Sequence, residues 1–235
     1  MNKGKLYLIP NILSEETHKE TITSKTIEHI LNINIFIAEN IRTARRYIKK
    51  IAPEKEINQI IFYPHGKHDQ LDLEQDFLQH ILSNKDVGLI SESGMPCIAD
   101  PGSKIVKYAH EFNIEVVPLT GPSSILLALI ASGMNGQKFR FHGYLPINDS
   151  DRKSKIIQIE KESIRNKETQ IFIETPYRNN KLLSSILKNC RRDTNLCIAL
   201  DITGAKQNIQ TKTISEWKTE RVNLEKDPCV FLLIN

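Results

Sequence analysis

The 235-residue chain has only four cysteines, Cys97, Cys190, Cys197 and Cys229, and no two of them form a Cys-x-x-Cys pair. That spacing excludes a disulfide framework and a zinc ribbon, and it fits reduced thiols in the cytoplasm. Long apolar runs are missing too. No stretch approaches the roughly 18 apolar residues of a membrane span. The start, Met1-Asn2-Lys3-Gly4-Lys5, leads directly into Leu6-Tyr7-Leu8-Ile9 without the layout of a signal peptide. The expectation is a cytoplasmic protein with no membrane partner. There is no internal repeat, low-complexity tract or coiled coil. Charge is nearly balanced at +4, which permits a nucleic-acid partner but lacks the basic stripe of a dedicated binder.

What is present is an alternation of short apolar strands with helical patterns. Lys5–Pro10, Ile33–Ala38, Gln59–Tyr63, Val87–Ser91 and Ile114–Pro118 read as strands. Between them lie a helix capped by Thr23 or Ser24, a cationic helix stopped near Pro53, a helical pattern over Leu73–Leu82 and a helix over Ser103–Phe112. This is the pattern of a parallel sheet covered on both faces. A second set follows: helix Ile125–Ser132, strand Phe139–Tyr144, a polar loop from Pro146 to Arg152, helix Ser154–Glu162 and strand Thr169–Ile173. Helix Lys181–Lys188 and strands Asn195–Asp201 and Cys229–Ile234 complete it. The predicted class is α/β with two domains, residues 1–119 with a mostly parallel sheet and residues 120–235 with a mixed one.

The stretch Val87–Gly102 organises the first set. An apolar strand breaks into Ser91-Glu92-Ser93-Gly94-Met95-Pro96-Cys97-Ile98-Ala99-Asp100-Pro101-Gly102 before a helix starts at Ser103. Ligands in open α/β sheets bind beyond the carboxyl ends of strands, where this loop would lie. Ser123 and Ser124, after Thr120-Gly121-Pro122, put hydroxyls at a helix N-terminus, as simple caps or as ligand contacts. Arg42, Arg45, Arg46, Lys49 and Lys50 share one helix face. They are either solvated or a phosphate-contacting surface. His65-Gly66-Lys67-His68-Asp69 invites a metal reading, but no further ligand pattern accompanies it. A polar loop is the better expectation, with no metal.

Several stretches together resemble one family. Val87–Gly102 resembles the SDAGTP-x-ISDPG signature of RsmI-like enzymes, the ribosomal RNA small subunit ribose 2'-O-methyltransferases. These form a branch of the tetrapyrrole methylase superfamily. Ala38-Glu39-Asn40-Ile41-Arg42-Thr43 is similar to its AEDTR-x-T, and Val117–Ser124 to its VP-x-PGPSA. Phe139–Pro146 is similar to its F-x-GFLP, and Ile171–Arg178 to its IFYESPHR. The motifs keep their order.

The resemblance implies a two-domain class III methyltransferase fold with a cofactor cleft between the domains, S-adenosylmethionine (SAM) as cofactor, and a homodimer. It implies cofactor contacts from Pro10, Gly94, Met95, Ile98, Ser123, Ser124 and Thr175. Glu39, Glu92, Glu174 and Arg178 are the polar residues at motif positions that could serve catalysis. Arg42, Arg45, Arg46 and His65 would then meet an RNA or ribosomal-subunit substrate. The Gly-rich fingerprint of Rossmann methyltransferases is absent, as this different SAM fold requires. The chain also departs from the pattern. Glu92 and Asn40 replace Asp, Met95 replaces Thr, and the ARELTK segment reads Ala199-Leu200-Asp201-Ile202-Thr203-Gly204. The Gly of a P-x-GN-x-x-D loop after Pro10 is missing. The chain ends soon after its last strand, where fuller members are expected to continue. Three readings stand: an RNA methyltransferase, a methyltransferase for a small molecule such as a tetrapyrrole, and a degenerate SAM-binding protein without turnover.

Overall fold

Five short strands, β1 (Leu6–Ile9), β2 (Ile35–Ala38), β3 (Ile61–Pro64), β4 (Val87–Ile90) and β5 (Val116–Pro118), open the computed structural model. The structure describes residues 3–66 and 71–235. Every pairing among these five strands is parallel, in the order β3-β2-β4-β1-β5. β4 lies in the middle, and all four of its residues are buried. A strand covered on both faces has no solvent side to alternate with, so it reads as one apolar run. Gly88 is its tightest point. A Cβ there would come within 2.6 Å of Ile9 Cδ1 and 2.8 Å of Phe36 Cδ1. The missing side chain therefore lets β1 and β2 close over the central strand.

The helices between these strands are α1 (His18–Thr21), α2 (Ser24–Asn32), α3 (Ile41–Ile51), α4 (Gln79–Leu82) and α5 (Ser103–Glu111). Thr23 caps α2 by accepting from the Thr26 amide, and Asn40 caps α3 by accepting from Arg42 and Thr43. One apolar layer gathers Ile30, Phe36, Ile48 and Ile90, and another gathers Ile37, Phe77, Ile81 and Ile105. Two sequence expectations need correction. Leu73–Leu82 is not one regular helix, since Leu73–Leu78 winds as a wide π turn before α4. Ile57–Gln59 is a 3-10 turn, so the third strand begins only at Ile61.

The chain divides into compact units after Ser123. The second unit holds α6 (Ser124–Ser132), β6 (Phe139–Tyr144), α7 (Asp149–Asn166), β7 (Thr169–Glu174) and α8 (Asn179–Asn189). It continues with β8 (Asn195–Leu200), β9 (Asn208–Thr213), α9 (Ile214–Trp217) and β10 (Cys229–Ile234). Its sheet runs β6-β7-β10-β8-β9, with β6 and β7 parallel and the remaining pairs antiparallel. Ile156, Ile159, Phe172, Leu182, Ile186 and Phe231 form its core. The expected loop from Pro146 ends at Asn148 rather than Arg152, because α7 takes in the expected helix Ser154–Glu162 and starts earlier, at Asp149. Asn148 caps it by accepting from the Ser150 and Asp151 amides, and Arg152, 4% exposed, donates back to the Ile147 carbonyl at 2.8 Å. Asp149, Ser150 and Asp151 are exposed on the first turn of α7, and that run of polar residues disguises the turn as loop. β9 is a polar edge strand that apolar alternation does not reveal. α9 starts on a capping box between Thr213 and Glu216. No helix among the described residues is long and apolar enough to cross a membrane.

Candidate functional site

Because the first sheet is wholly parallel, the segments following all five strands emerge at one edge. Pro10 follows β1, Glu39 follows β2, His65 follows β3, Glu92 to Ile98 follow β4, and Ser123 lies beyond β5. Tertiary hydrogen bonds lock the first and fourth of these segments together. Asn11 is 5% exposed; its backbone N–H donates to the Gly94 carbonyl at 2.9 Å. Its Nδ2 donates to the carbonyls of Ser91 and Glu92 at 2.9 and 3.2 Å. Tyr47 donates its hydroxyl to the Pro10 carbonyl at 2.6 Å, and burial holds that phenol well above its ordinary pKa, so it stays a donor. Gly121 packs on the same proline, where a Cβ would meet Pro10 Cβ at 2.2 Å and Met95 Sδ at 3.7 Å. Sequence reasoning does not single out Asn11 or Tyr47. Their signal is the geometry.

The segment after β4 is strained and braced. Ser91 Oγ donates to the Gly94 carbonyl at 2.6 Å, and Gly94 has φ +66°. Cys97 and Ala99 also have positive φ, 68° and 60°. For residues with a Cβ this costs about 1–2 kcal/mol each. Asp100 offsets the strain by accepting from the Cys97 and Gly102 amides through one oxygen, at 2.9 and 2.8 Å. Such strain gathers at ligand-holding segments. Between the two strained residues, Ile98 is left 43% exposed. The Cys97 thiol is pushed up to about 11, first by burial and then by the Asp100 charge. It is therefore no nucleophile at neutral pH.

The polar candidates take distinct places. Glu92 is exposed, and its Oε1 accepts from the Thr43 hydroxyl at 2.6 Å. Glu39 is half-buried at the end of β2. His65 Nε2 lies 3.1 Å from the Pro101 carbonyl, so the third and fourth strand ends are bridged as well. His68 and Asp69 of the histidine cluster lie outside the described residues. Arg42, Arg45 and Arg46 are exposed on α3, while Ala44, Tyr47, Ile48 and Ile51 turn inward. Their surroundings differ. The Arg45 guanidinium stacks 5.3 Å from the Phe62 ring centre, and Lys50 pairs with Glu16 at 2.6 Å.

In the second unit, Ser124 is the first residue of α6, and the remaining candidates cluster after β7. Glu174 is 6% exposed, and its Oε1 accepts from the Thr175 amide at 2.7 Å and from Arg178 Nη2 at 2.7 Å. The Thr175 hydroxyl reaches the same oxygen at 3.3 Å. Glu174 therefore holds both Thr175 and Arg178 in position. Its hydrogen bond and charge raise the Arg178 pKa further.

Residues 18–218 match the family model for Tetrapyrrole (Corrin/Porphyrin) Methylases. A ribosomal RNA small subunit methyltransferase I from Vibrio cholerae is 28% identical over 231 residues, spanning 97% of this chain and 76% of that protein. The protein of that name from Bacillus subtilis is 30% identical over 220 residues, spanning 92% and 71%. The crystal structure of the methyltransferase CobJ has the same fold, with a TM-score of 0.65 over 99% of this chain and 94% of that one, at 16% identity. With parallel-sheet edge, braced Gly94 segment, family match and named relatives in agreement, the chain is a methyltransferase and belongs to the tetrapyrrole (corrin/porphyrin) methylase family.

Proposed function

We propose that this methyltransferase uses SAM to methylate a ribose hydroxyl of small-subunit ribosomal RNA. The observation that carries the reading is the braced edge formed by Pro10, Gly94, Met95 and Gly121. Bare backbone and small groups there fit a ligand with polar ends, while exposed Ile98 and half-buried Met95 suit an apolar ring. Pro10, Gly94, Met95, Ile98 and Ser123 of the first unit would hold the cofactor. SAM supplies an activated methyl group, so the chain needs no metal and no covalent nucleophile. Its own work is to orient the acceptor and accept a proton. Glu92, steered by Thr43, and Glu39 are the carboxylates suited to take that proton. Glu174 is committed to Thr175 and Arg178 and acts as a positioning residue. The names of the relatives support RNA as acceptor, with the exposed Arg42 and Arg46 as phosphate contacts.

The working form is a cytoplasmic homodimer. Leu126 and Ile130, 50% and 76% exposed one turn apart on α6, support pairing through an apolar stripe. Light scattering on the purified protein reads the mass directly, and a monomer at working concentration ends that part of the reading.

The test is methyl transfer from tritiated SAM to small ribosomal subunits from a strain lacking the gene. Label should appear in RNA and be recovered as a ribose-methylated nucleotide. Label in a tetrapyrrole but not in RNA gives the small-molecule reading. Binding of S-adenosylhomocysteine without methyl transfer to RNA or to a tetrapyrrole gives the degenerate one.

A further inference from the structure

Two tyrosines of the second unit stand in solvent where neighbouring parallel strands end. Tyr144 closes β6 and pairs in register with Ile173 of β7, and Tyr177 follows β7. Tyr144 is 55% exposed and Tyr177 73%. Arg178 stands beside Tyr177. Its guanidinium carbon lies 5.2 Å from the Tyr177 ring centre. Nor is that cation loose, because Nη2 is anchored on the buried Glu174 at 2.7 Å. A ring stacked against a fixed cation keeps one orientation. Most of the Tyr177 surface remains open to solvent.

We propose that Tyr144 and Tyr177 form a stacking platform for unpaired bases of the acceptor RNA, with Arg178 fixing the Tyr177 ring. The inference rests on the RNA reading above and specifies the form in which the RNA is bound. Rings stack on any base, because every base has a π-face, but a base inside a duplex has both faces covered. The acceptor segment is therefore single-stranded or splayed when it meets this surface. A cation next to exposed rings suits an anionic strand that carries flat bases.

The experiment uses the full chain with fluorescence anisotropy on a short labelled single-stranded oligoribonucleotide and on a hairpin duplex of the same composition. Tyr144→Leu and Tyr177→Leu should each weaken single-strand binding by about five- to a hundred-fold. Tyr144→Phe and Tyr177→Phe, which keep the ring, should bind nearly as wild type. Duplex binding should be weak and indifferent to all four changes. S-adenosylhomocysteine affinity by calorimetry should hold in every variant, which shows the fold intact. Leucine variants that bind the single strand like wild type, while wild type methylates RNA, overturn the platform and leave the RNA reading standing. A duplex bound as tightly as the single strand overturns it too. If wild type neither binds nor methylates RNA, the RNA reading and the platform fall together.

Discussion

The Thr43 hydroxyl donates to the Glu92 carboxylate at 2.6 Å, tying the first turn of α3 to the segment after β4. The residues come from different motifs, and the contact suits the longer acid this chain carries in place of Asp. Thr43→Val keeps the shape and removes the donor. If Glu92 takes the acceptor proton, kcat should fall about ten-fold while S-adenosylhomocysteine affinity changes little, since one hydrogen bond to a charged group is worth about 1.5–3 kcal/mol at most. Thr43→Ser should restore the rate. A valine variant with undiminished kcat removes Glu92 from the mechanism.

Gly121 and Gly136 form a matched pair. A Cβ at Gly121 would sit 2.2 Å from Pro10 Cβ, whereas one at Gly136 meets nothing within 4 Å. Overpacking of that kind costs about 1–3 kcal/mol. Gly121→Ala should lower the urea midpoint by that equivalent and weaken S-adenosylhomocysteine binding. Gly136→Ala should leave both unchanged. Equal behaviour of the two would remove the backbone edge from the cofactor site.

The α3 cations divide by what they touch. Arg45 covers Phe62, so truncating it also strips packing. Arg42 and Arg46 are the cleaner probes. Removing one phosphate-binding cation should lower the slope of log K against log salt by about 0.7–0.9 in magnitude. Arg42→Ala with Arg46→Ala should therefore weaken RNA binding and flatten its salt dependence without touching cofactor affinity. An unchanged slope would make this helix face a solvated surface.

Cys97 gives the alkaline limb a sign. Its thiol titrates near 9.0 when free and at about 11 in the fold, with burial as the main cause. The folded state holds the proton more tightly, so this stabilisation is complete below pH 9.0 and is lost as pH rises towards about 11. Cys97→Ala should flatten the decline in the urea midpoint over that window, and alkylation of native Cys97 should stay slow until the same range. Rapid alkylation at neutral pH would contradict the burial.

Much of this protein is legible along the chain. Apolar runs mark β2, β4 and β10, a hydroxyl cap marks α2, and the motifs around Glu39, Gly94, Ser123 and Glu174 identify the family. These signals are local, carried by residues a few positions apart. β9 escapes because a polar edge strand buries too little to leave a periodic apolar signature, and α7 is legible over Ser154–Glu162 but not at its ends, where the exposed residues are polar. Tertiary structure alone decides the rest. Asn11 reaches across 80 positions to the Ser91 carbonyl, and Thr43 across 49 to Glu92. Gly121 is tied to Pro10, and Tyr144 is set beside β7, only by strand pairing. A parallel sheet delivers the ends of distant strands to one edge, and which ends become neighbours depends on strand order, a long-range property that no spacing in the sequence records.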